Sequence, residues 1–472
     1  MNATPAPVAV ELNDAGVAVA RTTPAGATVL DGEPSPGFAL LQDGRVLVGT
    51  AALQRHRLSP LHAQNRFWSA LGTEPLPWSA RGIGTPADLA HAHLTSVLEP
   101  AVSAGARELL LAVPPGYTRE QLGLLVGIAN ESGTTVRGLV DLGLAACTTV
   151  APAPHLLHLD LQLHQAVATL VDFAHADGLL RRSRYELLPG VGLLAFRQLL
   201  AESIATTFVR ETRFDPLHEA ATEQRLHDSL PAWLELLRDS DETEAEIEIG
   251  STRHRVTLSR AQLTAAVDTL AAEVMRLVQA SRPAGLALQV CVTPRVVALP
   301  GLLDRLATLR DCVVVALPEG AAALGALQHA AAILRPADAI SLVHRLPVQA
   351  AVDATGVAGV ATSGDVPAEA VPTHVLFRGR AWSITRTPLA LGWSVGAVPR
   401  ALTLPAGIAG VSRVHCTLRV LDGQVVVEDQ STYGTFVNDE RVGGRVALRV
   451  GDVLRLGAPG LTLDLIRVLE GP

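Results

Sequence analysis

The sequence predicts two unlike parts: a large α/β body over about residues 1–336 and a small all-β sandwich over 373–472. Three observations carry this. Strand and helix patterns alternate through the first part, and the order strands, helix, strand, helix is stated twice. From residue 373 onward only short strand patterns and turn residues recur. Between them, 337–372 is rich in Gly, Pro, Ser and Thr and reads as a linker.

The first half of the body, to about residue 152, opens with strands "VAVEL" (8–12), "GVAVA" (16–20) and "RVLVG" (45–49), then a helical stretch near 86–104. "ELLLAV" (108–113) is an apolar strand before a Pro-Pro-Gly turn. Thr118 and Gln121 stand three apart, the spacing of a capping box, and Leu122, Leu125 and Val126 carry the helix on to about 132. A short Ala-rich helix near 142–150 closes this half. The second half, about 153–336, restarts with strands at 155–161, 166–173 and about 179–188, followed by helices at about 191–208 and 217–238. The stretch 259–280 reads as one continuous helix, with a Ser259–Gln262 capping box and a stripe of Leu263, Val267, Leu270, Val274 and Leu277. Strands at 286–292 and 312–317 alternate with helices at 298–309 and 319–334.

Composition narrows the function class. Of 472 residues, 48% are hydrophobic and 18% charged, enough apolar material for packed cores. Aromatics are 3%, so those cores must rely on small, close-packed Ala, Leu and Val. A net charge of −8 argues against nucleic-acid or anionic-membrane binding, which needs a basic face. Cys147, Cys291, Cys312 and Cys416 are scattered in apolar runs with no CxxC, as expected of inert thiols in a reducing cytoplasm. The N-terminus carries no signal-peptide pattern, and no apolar run is long enough for membrane insertion.

Residues 44–72, the stretch "LLLAVPPGYTREQLGLLVGIANESGTTVRGLVDLGLAACT", the stretch "EIEIGSTRHRVTLSRAQLTAAVDTL" and "LPEGAAALGALQHAAAIL" resemble, in order, segments of the ATPase domain of the seventy-kilodalton heat-shock chaperones. The likeness spans about residues 5–335 and implies an actin-like fold of two lobes around a nucleotide cleft. In that family two Gly-rich hairpins hold the phosphates through backbone N–H groups, because phosphate must approach the main chain closely. Here the first hairpin reads "ELNDA", with Glu11, Asn13 and Asp14 departing from the family's DLGTT. The second reads "DLQLHQ", where Asp160 survives but Gln162, Leu163 and His164 replace glycines. The adenosine-loop glycines become Thr293 and Pro294, and the catalytic lysine becomes Asn65 beside a retained Arg66. The departures imply a pseudo-ATPase with no cofactor. Glu11 and Asp160 remain as carboxylates for hydrated Mg²⁺ if ATP binds at all.

Other residues carry less chemistry. His155 and His158, three apart on a strand, fall on opposite faces, and His218 and His227 are nine apart. With His164, these read as surface or capping groups rather than metal ligands. The run "DSDETEAE" (239–246) reads as a solvated turn, "RRSR" (181–184) as an exposed strand edge, and the glycines of "GVGLL" and "GALQ" carry no phosphate signal. No GxSxG, HExxH or Cys–base pairing appears.

The C-terminal part carries the more specific pattern. Val414, Cys416, Leu418 and Val420 alternate with less apolar partners, as a half-buried strand requires, and turns fall at Asp422–Gly423, "NDERVGG" and Gly451–Asp452. "LGW" (391–393), "SRVH" (412–415), "DQSTYGTFVN" (429–438) and "LRVGDVLRLG" (448–457) resemble, in order, the motifs of the forkhead-associated (FHA) domain. The resemblance implies phosphate contacts from Ser412 and Thr432 and a basic contact from Arg413. It implies a loop-bracing role for His415, a tight turn at Gly434 and a turn tie from Asn438. Two positions depart: Trp393 stands for the Arg of the family's Gly-Arg pair, and Tyr433 for the Asn that orients the bound peptide. Arg400, on the same long loop, is the candidate to replace the lost fork. The partner expected is a protein phosphorylated on threonine. The competing expectation is an interaction surface anchored by Trp393 and Tyr433 without phosphate. The chain therefore reads as a non-enzymatic cytoplasmic scaffold. The alternatives are an actin-like or chaperone-like ATPase with diverged loops and a filament-forming protein.

Overall fold

The alternation in the first part folds into two sheets of matching strand order. The computed structural model describes residues 7–348 and 371–466, apart from residues 25, 31, 81, 175–177, 284–285, 337–338, 378–379, 396–399, 406–407, 409, 422–423, 438–439, 443, 451 and 458–459. Its contacts divide the chain into two units, Met1–Val352 and Asp353–Pro472.

In the N-terminal unit the first sheet is built from β1 (Val8–Glu11), β2 (Ala18–Thr23), β3 (Gly26–Val29), β4 (Glu108–Val113) and β5 (Thr135–Asp141). They lie in the order β5-β4-β1-β2-β3, with β1 to β3 an antiparallel meander and β4 and β5 added in parallel. The second sheet repeats this plan. It uses β6 (His155–Leu161), β7 (Gln165–Ala174), β8 (Leu179–Pro189), β9 (Leu288–Val292) and β10 (Cys312–Ala316), in the order β10-β9-β6-β7-β8. Two short strands extend the sheets further. Leu342–Val343 pairs with β5 and Arg345–Pro347 with β8, so the stretch read as linker starts too early: residues 342–347 belong to the body. The rest of that stretch, 349–370, lies outside the described residues.

The helices form where local chemistry permits. Thr118 accepts the Gln121 N–H while the Gln121 side chain accepts the Thr118 N–H, a complete capping box on Arg119–Glu131. Ser259 caps only one way. It accepts the Gln262 N–H, but the Gln262 amide turns instead to Ser203 and Thr207. The helix expected over 259–280 is two helices, Arg260–Ala266 and Asp268–Ser281, broken at Val267 (φ −100°, ψ 6°). Across the break Leu263, Val267, Ala271, Val274 and Val278 are all buried in one core. The acidic run also differs from expectation. Glu242–Ile249 is a strand paired with Thr252–Ser259, and Glu246 and Glu248 meet Arg255 and Arg253 across it at 2.5 and 3.5 Å.

Each sheet packs its own core, and a third core lies between the halves. There the alanines of Leu142–Cys147 and Ala321–Gln328 pack together with Cys147 and Cys291. Alanine at these positions lets helix backbones approach closely, which accounts for a chain so poor in aromatics. Among the described residues no helix is long and apolar enough to cross a membrane.

The C-terminal unit is a β-sandwich. One sheet orders Arg380–Ser383, His374–Phe377, Leu461–Ile466, Val453–Leu456, Thr435–Val437 and Glu440–Arg441. The other orders Ala401–Thr403, Leu389–Gly392, Cys416–Leu421, Gln424–Asp429 and Arg445–Leu448. Leu391, Cys416, Leu418, Val425 and Val427 from one sheet and Val375, Leu454, Leu456, Leu463 and Leu465 from the other share one buried core. The turn at Asp422–Gly423 lies outside the described residues.

Candidate functional site

At one end of the sandwich, three loops are tied into a single surface. Strand Leu389–Gly392 ends with Gly392 pressed on the 413–414 backbone: a Cβ there would lie 2.0 Å from the Arg413 carbonyl oxygen. The Ser394 N–H donates to that same carbonyl at 3.0 Å. The glycine of the "LGW" motif is therefore required by close backbone approach, whatever residue follows it.

His415 joins the other two loops from below. It is fully buried; its Nδ1 accepts the Ser412 N–H at 3.0 Å, and its Nε2 lies 3.1 Å from the Gly434 carbonyl. An accepting Nδ1 requires the proton on Nε2, so the ring is a neutral donor to Gly434. Burial pushes its pKa down, in keeping with that neutral state. Above it, the Ser412 hydroxyl accepts the Thr432 N–H at 3.1 Å. Asp429 holds the far side of the loop through the Ser431 N–H (3.0 Å) and the Thr435 hydroxyl (2.7 Å), and the Ser431 hydroxyl accepts the Gly434 N–H at 2.7 Å. Burial disfavours the Asp429 charge, but these bonds outweigh it and hold its pKa below the usual value. Gly434 sits at φ +87°, and a Cβ would lie 2.9 Å from Arg441 Nε.

This frame brings Ser412, Arg413, His415, Thr432, Tyr433, Gly434 and Trp393 together. Arg413 and Thr432 are exposed, and the Arg413 side chain makes no hydrogen bond or ion pair among the described residues. Tyr433 is 58% exposed and Trp393 39%, far more than the buried hydrophobics beneath them. Arg400 is not part of this surface. Its carbonyl accepts the Ala390 N–H at 3.1 Å, three residues along the strand from Trp393, or roughly 10 Å away. Its guanidinium bonds Ser383 and Thr385 at 2.5–2.8 Å. The expectation that it replaces the missing fork is thus corrected by register. Asn438 lies outside the described residues. The bracing pair Asp429 and Ser431 went unread in the sequence, although "DQS" is the Asx-turn pattern that signals it.

In the N-terminal unit the stretches 11–14 and 160–165 meet through the Asn13–Asp160 bond, and Arg295 lies between the carboxylates of Glu11 and Asp160. Its Nη2 lies 2.8 Å from Glu11 and 3.0 Å from Asp160 Oδ2, and its Nε lies 3.0 Å from Asp160 Oδ1. Thr293 and Asn13 each add a bond to Asp160 at 2.7 Å, and Glu11 accepts the Ala322 N–H at 2.9 Å. Burial would raise the Asp160 pKa, but Arg295 and Thr293 overcome it and bring it to about 2. Arg295 is in turn held firmly protonated by Asp160 and Glu11 against its own burial. Glu11 and Asp160, read as candidates for hydrated Mg²⁺, are instead committed to a guanidinium. The sequence reading stopped at Thr293 and Pro294, one residue short of the group that decides the site.

The histidines do not gather. His155 pairs with Asp172 at 2.7 Å, and His164 lies 3.1 Å from Asn65. His158 is buried rather than at the surface, and burial lowers its pKa. Among the described residues no three His, Cys, Asp or Glu side chains are placed to hold a metal ion.

The FHA-domain family model matches residues 399–457, which contain both the SRVH and STYGT loops. That part of the chain is an FHA domain, a protein–protein interaction fold. No curated protein matches the chain.

Proposed function

We propose that the C-terminal domain captures a protein partner carrying phosphothreonine, and that the N-terminal unit is a non-hydrolysing body related to the actin-like ATPase domain of the heat-shock chaperones. One observation carries the first part. The Ser412 hydroxyl accepts the backbone N–H of exposed Thr432 at 3.1 Å, and the exposed Arg413 that follows Ser412 has no side-chain partner among the described residues. A hydroxyl pair and a free cation on a rigid loop frame suit a phosphate, whose oxygens accept charge-assisted bonds. Trp393 and Tyr433 flank the phosphate seat and pack against the rest of the peptide. The matching strand orders of the two sheets support the ATPase-like body, and the Arg295 network supports its loss of nucleotide chemistry.

Capture of partners from lysate by the full chain tests this reading, with the lysate phosphatase-treated or not. Capture should vanish on treatment, and Ser412→Ala should weaken it by about tenfold, the equivalent of about 1.4 kcal/mol. Capture indifferent to phosphatase but lost on Trp393→Ala and Tyr433→Ala would establish the aromatic, phosphate-independent surface instead.

A further inference from the structure

Two adjoining cavities of about 170 and 430 Å³ open in the cleft of the N-terminal unit. Both are lined by Asp14, Ser69, Gln162 and Gln165. Asp14 is 5% exposed, and the one hydrogen bond of its side chain among the described residues runs from the Leu163 N–H to Oδ1, at 2.8 Å. The neighbouring Ala15 N–H is given to Asn13. A largely buried carboxylate thus lines both cavities, with Oδ1 bonded to Leu163 and Oδ2 bonded to no described residue.

The local charge is unbalanced in the same sense. Glu11, Asp14 and Asp160 are each 5% exposed or less, and one buried guanidinium, Arg295, opposes all three. Arg295 is already spent on Glu11 and Asp160. The smaller cavity is walled by Trp68, Tyr117, Leu12 and Leu187, so the carboxylate looks across aromatic and aliphatic surface. A carboxylate beside aromatic rings is the pairing that holds organic cations, through an ion pair and a cation–π contact. Arg66 lines only the wider cavity, and it is solvent-exposed there.

We propose that the smaller cavity binds a small organic cation, a primary ammonium or guanidinium compound, with Asp14 as its counter-ion. The negative floor that disfavours a triphosphate favours this class of ligand. The site is independent of phosphate recognition in the C-terminal domain.

Calorimetric titration of the full chain with putrescine and with L-arginine, at constant ionic strength, tests the proposal. The wild type should bind at least one of them, and Asp14→Asn should weaken that binding tenfold or more. The Asn side chain can keep the Leu163 bond, and the thermal midpoint of the variant reports whether it is folded. A second reading uses the wild type alone. The Asp14 pKa is raised to about 6 by burial, so apparent affinity should fall about tenfold between about pH 8 and pH 5 as the carboxyl protonates. Of the groups around it, Arg295 stays protonated, Tyr117 neutral and Asp160 ionised across this range. His164 gains a proton below its usual range and acts in the same direction as Asp14 protonation. Absence of binding by both probes at millimolar concentration would overturn the proposal. So would equal affinity in Asp14→Asn, or a pH-independent affinity.

Discussion

Replacing Arg295 by Ala removes the single cation from a buried acidic cluster. Three charge-assisted bonds of 2.8–3.0 Å to Glu11 and Asp160 disappear, while both carboxylates stay buried at 3% and 2% exposure. Leaving one partner of a buried ion pair unmatched costs about 3–5 kcal/mol. Unfolding entropy of about 2.1 cal/mol/K per residue over the 352-residue unit makes that a fall of roughly 4–7 °C in the thermal midpoint. Scanning calorimetry of the full chain measures it. The pH dependence carries the stricter test. In the wild type the Asp160 pKa is lowered from 3.8 to about 2, so its contribution is present above 3.8 and is lost as pH falls toward 2. In the variant the orphaned carboxylates take up protons at higher pH, so the deficit relative to wild type should shrink on acidification. Glu11→Gln, Asp160→Asn and Arg295→Met combined should recover much of the loss, because positions 11, 160 and 295 then bury no charge. A midpoint within 1 °C of wild type for Arg295→Ala, or a deficit that grows in acid, would refute the reasoning.

Three further outcomes are expected. Asp14→Asn should stabilise the N-terminal unit at neutral pH by about 3 kcal/mol, since a folded pKa raised from 3.8 to about 6 withholds stability above pH 6; the gain should vanish below pH 4. Gly434→Ala should destabilise the FHA domain by about 1–3 kcal/mol and loosen the Ser412–Thr432 clamp, seen as lower amide protection of Thr432, because alanine resists φ +87° and its Cβ crowds Arg441. Thr118→Ala should cost about 1 kcal/mol in the N-terminal unit by removing a complete capping box, read from the urea midpoint at unchanged m-value.

Most of the architecture was legible because its signals are local. The apolar runs "HLLHLDL" and "AVATLVDF" and the Thr118–Gln121 cap act within a few residues of themselves, and the described strands and helix fall on them. The misread stretches are those where partners lie far off in sequence. Residues 342–347 look like linker because two short strands have no pattern of their own; they exist only by pairing with β5 and β8. The single helix expected over 259–280 breaks at Val267, where the backbone leaves helical geometry at φ −100°, ψ 6°, a feature its apolar stripe does not signal.

The candidate sites divide in the same way. Residue identity alone was enough to mark Ser412, Arg413, His415 and Thr432, because an interaction loop keeps its chemistry in a short motif. It also showed that Trp393 and Tyr433 interrupt that motif. Which cations can serve the loops was decided by register. Arg400 stands close by in sequence but belongs to the opposite end of its strand, bonded to Ser383 and Thr385. The body shows the converse case. Glu11 and Asp160 are 149 residues apart in the chain, and Arg295 lies a further 135 on; only the fold puts one guanidinium between them. Sequence by itself determined which side chains are available, since that is a property of each residue. Tertiary structure decided which charges are spent on one another and which, like the Arg413 guanidinium, have no ion-pair partner among the described residues, because Coulomb and hydrogen-bond energies depend on distances that chain order does not contain.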